Sequence, residues 1–132
     1  MIGGDKDVDI LIAFDSKTGN VKRFVSKLDM RNVQITNELI VNEPFVLVTY
    51  TARMGKVPDT TFTFLEKNHK HLMGVSASGN KNWSSNYAKS ADTISEMYNV
   101  PILSRFELSG LASDKTYFIE RVRNLGITHR TE

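Results

Sequence analysis

Five short segments of the chain have the apolar and β-branched composition of strands. They are residues 10–13, 33–35, 45–50, 72–77 and 102–108. The first is an unbroken apolar run, Ile-Leu-Ile-Ala, which is typical of a parallel strand that is covered on both faces. Pro44 fits the start of the third strand, where it need not donate a hydrogen bond to a neighbour.

Apolar residues recur at helical spacing between and after these strands. The pattern predicts helices over about residues 20–29, 58–68 and 84–98, and a fourth helix that Ser113 and Asp114 cap and Gly126 ends. Strands that alternate with helices predict an α/β fold, a mostly parallel sheet with right-handed crossovers and helices on both faces.

The length of the chain indicates a single domain. Its 132 residues, 40% of them hydrophobic, suffice for a substantial single core, which we place at residues 8–127. Residues 1–7 hold two glycines and alternating charges, and are expected to be a flexible amino-terminal extension. Residues 128–132 are expected to be a polar tail.

Charge and cysteine content exclude several functions. A net charge of +2 without a Lys/Arg-rich run argues against nucleic acid as a partner. The absence of cysteine excludes disulfides, thiolate catalysis and cysteine-based metal sites, and His69 and His71 are expected to face solvent at a helix end. No apolar stretch is long enough for a membrane span and no signal-peptide core is seen, so a cytoplasmic location is expected.

Three loops follow the first, third and fourth strands, and in a parallel sheet they share the carboxyl edge where ligands bind. The first, residues 16–20, places hydroxyl and amide side chains around Gly19 at the start of a helix. Unpaired N–H groups and the helix dipole favour an anion there, and a glycine allows close approach of the backbone. The same residue types are ordinary helix caps, so the loop alone leaves phosphate binding and capping both open.

The second and third loops, residues 49–58 and 78–83, combine hydroxyl and amide groups with Tyr50 and Trp83. Together with an anion-binding loop they would suit a phosphorylated, flat heteroaromatic ligand. The alternative is that the two rings are core residues and that Asn80 and Asn82 only form turns.

The three loops resemble those with which flavodoxins hold flavin mononucleotide (FMN), and four motifs resemble the NrdI family of ribonucleotide reductase stimulatory flavoproteins more closely. The motifs are Ser-Lys-Thr-Gly-Asn-Val at 16–21, Thr-Tyr-Thr at 49–51 with Gly-x-Val-Pro at 55–58, Gly-Val-Ser-Ala-Ser-Gly-Asn-x-Asn-Trp at 74–83, and Phe-Glu-Leu-Ser-Gly at 106–110. The resemblance covers about residues 9–123, and the third motif is much more specific than the first.

The resemblance implies a flavodoxin-like doubly wound, five-stranded parallel sheet that binds FMN and no metal. It further implies a redox accessory protein rather than a turnover enzyme. Such a protein, after reduction by a reductant that the sequence does not name, reacts with O2 and supplies an oxidant, taken to be superoxide. The recipient is the radical-bearing β subunit of an oxygen-dependent, manganese-type ribonucleotide reductase, whose metal and radical cofactor is thereby assembled.

Carried over by motif, the cofactor-binding residues fall in the three loops, with Tyr50 and Trp83 as the expected contacts of the flavin ring. The first loop supplies the expected phosphate contacts Ser16, Lys17, Thr18, Gly19 and Asn20, followed by Val21. The other two supply Thr49, Tyr50, Thr51, Ala52, Arg53, Met54 and Gly55, and Ser78, Gly79, Asn80, Asn82 and Trp83.

The chain departs from the family pattern at Arg53, where the second loop usually carries a glycine. In flavodoxin-like proteins the peptide of that glycine turns toward the flavin after one-electron reduction, and a non-glycine residue at positive φ costs about 1–2 kcal/mol. A guanidinium near the ring also favours an anionic reduced flavin. Arg53 therefore predicts that little one-electron-reduced flavin accumulates at half reduction. The alternative is that its side chain points to solvent and that the peptide still turns. With Lys17, Lys56 and Lys81 it also makes the rim basic, which suits an acidic partner face.

Three alternatives share the predicted fold. A general flavodoxin-type electron-transfer protein would have the same loops and flavin. A phosphoacceptor signalling domain would need an aspartate after the central strand, where this chain has Thr-Tyr-Thr, and Asp15 lacks the acidic cluster that would hold magnesium. A flavin-free interaction module would lack the yellow flavin spectrum.

Overall fold

The structure, a computed structural model, describes residues 9–131, with side chains described except at 84–85 and 126–131. Strands and helices alternate along this part of the chain. The strands are β1 (Leu11–Phe14), β2 (Asn32–Gln34), β3 (Phe45–Tyr50), β4 (Leu72–Ser78) and β5 (Ile102–Phe106). The α-helices are α1 (Asn20–Ser26), α2 (Asp59–Asn68), α3 (Lys89–Tyr98) and α4 (Ala112–Thr131).

The strands form one five-stranded sheet in the order β2-β1-β3-β4-β5, and every neighbouring pair is parallel. The strand order reverses between β1 and β3, and crevices for ligands form beside such a reversal, at the carboxyl ends of the strands. The doubly wound parallel α/β fold predicted from the sequence is confirmed.

Two hydrophobic cores cover the two faces of the sheet. Strand β3 shows the division most clearly, because Val46 and Val48 face one core whereas Phe45 and Leu47 face the other. The first core is completed by α1 and α4, through residues such as Phe24 and Phe118, and the second by α2 and α3. The near-continuous apolar sequence of β3 is thus the consequence of burial on both sides.

Two helix boundaries differ from the sequence prediction. Helix α3 begins at Lys89, not at residue 84, because Ala88 is in the left-handed conformation, with φ of 50°, and the residues Lys81–Asn86 form 3-10 turns. Helix α4 runs through the predicted stop at Gly126 to Thr131 and so includes residues 128–131 of the predicted tail. The predicted extension, residues 1–7, lies outside the described residues.

Two other elements end earlier than predicted, each two or three residues before a residue with positive φ. Helix α1 ends at Ser26, ahead of Asp29 with φ of 54°, and β5 ends at Phe106, ahead of Leu108 with φ of 52°. Aspartate adopts this conformation fairly readily, whereas it is uncommon for leucine. Within the described residues, no helix has the length and apolar character to cross a membrane.

Candidate functional site

Three loops meet at the carboxyl edge of the sheet and enclose an open cleft of about 700 Å³. This volume falls within the range of small-molecule and cofactor sites, roughly 300–1,000 Å³. Most of the site residues predicted from the sequence line the cleft: Ser16, Lys17, Thr18, Asn20, Val21, Tyr50, Thr51, Ala52, Arg53, Ser78, Gly79, Asn80 and Trp83.

The remaining predicted site residues do not line the cleft, but they shape the loops around it. Gly19 and Gly55 have φ of 95° and 79°, conformations that suit glycine. Thr49 is fully buried, the side chain of Met54 is exposed, and the backbone N–H of Asn82 donates to Asn80 Oδ1 at 2.8 Å.

The first loop leaves β1 at Asp15 and enters α1 at Gly19. The Ser16 hydroxyl accepts a hydrogen bond of 3.2 Å from the backbone N–H of Lys22, so that this side chain caps part of the first turn. Lys17 and Thr18 are exposed at the cleft. Ser16 therefore caps the helix, whereas its neighbours face the cleft, where the other interpretation of the sequence places a phosphate.

The second loop is held from below by a buried polar contact with α3. The hydroxyl groups of Thr51 and Ser90 lie 3.0 Å apart, and the Ser90 hydroxyl also donates to the carbonyl of Tyr50 at 3.0 Å. These bonds satisfy the polar groups that the loop buries, and they fix the backbone on either side of the half-buried Tyr50.

The strained residue of the second loop is Met54, not Arg53. Met54 has φ of 60° and ψ of 27°, whereas Arg53 is not among the described residues with positive φ. Arg53 therefore carries no such cost in this structure, and the cost predicted from the sequence concerns only the turn of its peptide after reduction. Arg53 is exposed and lines the cleft.

The third loop is anchored to the segment that follows β5. Gly79 donates its N–H to the carbonyl of Phe106 at 2.9 Å, and Lys81 donates its N–H to Glu107 Oε2 at 2.8 Å. A Cβ atom on Gly79 would lie 2.4 Å from the backbone nitrogen of Ala88, so only glycine permits this close approach. The motif at residues 106–110 thus holds the motif at residues 74–83 in place by hydrogen bonds.

Trp83 and Asn80 both reach the cleft from the third loop. Trp83 is 41% exposed and is not a core residue. Asn80 lines the cleft and also forms the expected turn, because its side chain accepts from Asn82 and its carbonyl accepts from the N–H of Trp83 at 2.9 Å.

A buried polar chain lies beneath the cleft. The carboxylate of Asp15 accepts a hydrogen bond from the hydroxyl of Thr61, which lies 2.9 Å from the hydroxyl of Thr49. Burial raises the pKa of Asp15, against the opposing effect of hydrogen bonds from Thr61 and Ser16. Burial, and to a lesser degree the charges of Asp15 and Asp59, raise the pKa of Tyr50, so its phenol stays protonated and can donate.

Sequence reasoning missed part of the lining. The cleft residues that were not named as site residues are Lys56, Val57 and Pro58 of the predicted second loop, Asp59 and Thr60 at the start of α2, and Leu108 of the fourth motif. The parallel topology could have indicated Asp59 and Thr60, because the amino terminus of a crossover helix lies at the same edge as the loop before it. Leu108 lies within the fourth motif, but its residue type did not indicate that it would be exposed at the cleft, where its φ is 52°.

The donor set of the cleft fits a flavin nucleotide. The first loop offers hydroxyl, amide and ammonium groups for a phosphate, and the other two offer the rings of Tyr50 and Trp83 for a flat heteroaromatic system. Within the described residues, no group of three or more His, Cys, Asp or Glu side chains is placed to hold a metal ion.

Comparison with known proteins assigns the chain to a family. The family model described as NrdI flavodoxin-like matches residues 12–120. Protein NrdI of Bacillus licheniformis is 55% identical over 117 residues, which are 88% of this chain and 89% of that protein.

The structural neighbours share the fold at low identity. A flavodoxin from Streptococcus pneumoniae has a TM-score of 0.69 at 20% identity, covering 90% of this chain and 98% of its own. The oxidised Flavodoxin 2 of Bacillus cereus has a TM-score of 0.68 at 14% identity, with coverage of 91% and 99%. The fold is therefore flavodoxin-like, and by sequence the chain belongs to the NrdI flavodoxin-like family.

Proposed function

We propose that the chain binds FMN in the cleft at the carboxyl edge of the sheet and acts on the β subunit of an oxygen-dependent ribonucleotide reductase. When bound and reduced, FMN would supply the electrons that convert O2 into superoxide, the oxidant for metal and radical cofactor assembly in that subunit. The observation that carries the proposal is the convergence of the three loops on one cleft in a chain of the NrdI family.

The residues of the chain have separate tasks in this proposal. Ser16, Lys17 and Thr18 would bind the phosphate group through hydrogen bonds and charge, and Tyr50 and Trp83 would contact the flavin ring. Because the chain has no cysteine and hence no thiol, the protein would orient the flavin and control its access to solvent, while the redox chemistry remains that of the flavin.

The surface around the cleft suits contact with a partner protein. Three large apolar side chains are exposed beside the cleft or in its loops: Met54, Trp83 and Leu108. Exposed apolar residues that cluster at a functional edge are typical of a protein interface, and the cations Lys17, Arg53 and Lys56 in the cleft suit an acidic partner face. A cytoplasmic location follows from the proposed partner.

Flavin binding can be tested directly with the purified chain. We expect a yellow protein, or an apoprotein that becomes yellow with FMN, with absorbance changes that saturate at one FMN per chain. Thr18→Ala is expected to weaken FMN binding because it removes a cleft hydroxyl, whereas Thr116→Ala on α4 is the matched control. A folded chain that binds no FMN after reconstitution would refute the proposal and favour a flavin-free interaction module.

A further inference from the structure

Arg23 folds back from α1 onto the first loop. Its Nη2 group donates to Asn20 Oδ1 at 2.6 Å, and its Nε group donates to the hydroxyl of Ser109 at 3.0 Å. The guanidinium also covers Gly19, because a Cβ built on that glycine would lie 2.9 Å from Nη1. A single side chain thus contacts both residues at the end of the predicted phosphate loop.

Ser109 completes a triangle with these two residues. Its hydroxyl donates to Asn20 Oδ1 at 3.2 Å, so the same oxygen accepts from Ser109 and from Arg23. A guanidinium can only donate, and it therefore identifies the side-chain atom that it contacts as the oxygen of the amide. Asn20 lines the cleft, and its amide nitrogen is left to donate a hydrogen bond to a ligand there.

The segment that carries Ser109 is itself fixed against α1. Gly110, with φ of 78°, lies so close to Phe24 that a Cβ atom would be 2.6 Å from the ring. Phe24 stacks on Phe106 with ring centroids 4.1 Å apart. Packing against the core therefore fixes the hydroxyl of Ser109, and Arg23 links this hydroxyl to the first loop by hydrogen bonds.

Arg23 differs from two other arginines in having no carboxylate partner among the described residues. Arg31 forms ion pairs with Asp9 and Glu43, and Arg105 forms one with Asp92. Within the part of the chain that the structure describes, no carboxylate lies within ion-pair distance of Arg23. An uncompensated guanidinium beside the loop complements an anion bound on it.

We infer that Arg23 is a positioning residue that makes this loop select a phosphorylated flavin over an unphosphorylated one. The inference rests on the proposed function, since it concerns the phosphate end of the same ligand. Arg23 turns the amide of Asn20 toward the ligand, and Ser109 holds Arg23 in place. A purely structural role, in which Arg23 only joins α1 to the segment after β5, would affect FMN and riboflavin equally.

The test compares the dissociation constants of FMN and riboflavin, which differ only in the phosphate. Arg23→Leu is expected to weaken FMN binding about ten- to a hundredfold, as for the loss of a charge-assisted hydrogen bond, and to change riboflavin binding less than about threefold. Ser109→Ala is expected to shift the ratio in the same direction by a smaller factor. Arg23→Lys keeps the charge but loses the two-point contact and should fall between Arg23→Leu and the unmodified chain.

The controls separate the possible failures. Arg31→Leu removes an ion-paired arginine at the far edge and should leave the ratio unchanged. Circular dichroism checks folding, and if Arg23→Leu does not fold, Arg23→Lys and Ser109→Ala decide the result. An unchanged ratio of FMN to riboflavin affinity in the Arg23 and Ser109 variants would overturn the inference while the proposed function stands. An unmodified chain that binds neither flavin would overturn both.

Discussion

The carboxylate of Asp15 accepts a hydrogen bond of 2.7 Å from the hydroxyl of Thr61. Asp15 is the first residue after β1, and Thr61 lies in the first turn of α2, so this bond joins the first loop to the helix that follows the second. Asp15 is only 8% exposed, and burial raises its pKa. The contact thus fixes two walls of the cleft at the cost of a poorly solvated carboxylate.

Stability should depend on pH through Asp15 in a specific direction. A folded-state pKa above the ordinary value of 3.8 means that the folded chain binds the proton more tightly, so the contribution is full below that value and is lost as pH rises through the raised pKa. We expect the unfolding free energy of the unmodified chain to fall relative to Asp15→Asn as the pH rises above ~4.

Thr61→Val serves as the internal comparison for this pH dependence. It removes a hydrogen bond that lowers the pKa of Asp15, and it should therefore make the decline steeper. Urea denaturation of the three proteins at several pH values measures both effects. A difference that rises with pH, or a shallower decline in Thr61→Val, would contradict the assignment.

Gly79 should tolerate a methyl group much less well than Gly74. A Cβ on Gly79 would meet the backbone of Ala88 at 2.4 and 2.9 Å, whereas one on Gly74 would meet only the side chain of Leu103 at 3.0 Å or more. Because backbone cannot move aside cheaply, Gly79→Ala should destabilise the fold by about 1–3 kcal/mol and also weaken FMN binding. Gly74→Ala should cost less in urea denaturation and leave FMN affinity unchanged, and equal losses would be evidence against this packing.

Trp83 is the only tryptophan of the chain, so its fluorescence reports on the third loop alone. It is 41% exposed at the cleft, and we expect FMN to quench its emission. Trp83→Ala should weaken FMN binding by about 0.5–1.5 kcal/mol, or roughly two- to twelvefold, whereas Trp83→Phe should retain most of the affinity. Unquenched emission at saturating FMN would show that the ring does not contact the ligand.

Arg53 should limit the amount of one-electron-reduced flavin at half reduction. The loop already contains one non-glycine residue of positive φ, Met54, and a second at Arg53 would cost about 1–2 kcal/mol when its peptide turns. Arg53→Gly removes this cost together with the guanidinium charge, and the one-electron form should increase in an anaerobic dithionite titration followed by visible absorbance. Arg53→Lys keeps the cost and the charge and should resemble the unmodified chain. Abundant one-electron form before substitution would contradict this prediction.

The fold could be predicted from the sequence because both of its signals are local. Apolar runs such as that of β3 indicate burial on two faces, and helical spacing indicates amphipathic helices. The helix boundaries could not be predicted in the same way. Tyr87 continues the helical pattern of α3, yet Ala88 is left-handed and lies in close contact with Gly79, which is distant in the pattern that predicts the helix.

The loops of the site were predictable from motifs, but the long-range hydrogen bonds that hold these loops were not. Nothing local in the sequence indicates that Arg23 contacts Ser109, which lies 86 residues further along the chain. The same applies to Asp15 and Thr61, which only the parallel topology brings together. Long-range polar contacts depend on the register of the whole sheet, and composition and spacing do not encode that register by themselves.

The central claim is most directly tested by radical formation in the partner. The chain is loaded with FMN, reduced anaerobically and mixed with the manganese-loaded β subunit of the ribonucleotide reductase from the same organism, and O2 is then admitted. We predict that the radical signal of the β subunit appears in the electron paramagnetic resonance spectrum only when both this chain and O2 are present. Reoxidation of the flavin without any radical in the β subunit would contradict the account and leave a general flavodoxin-type electron carrier.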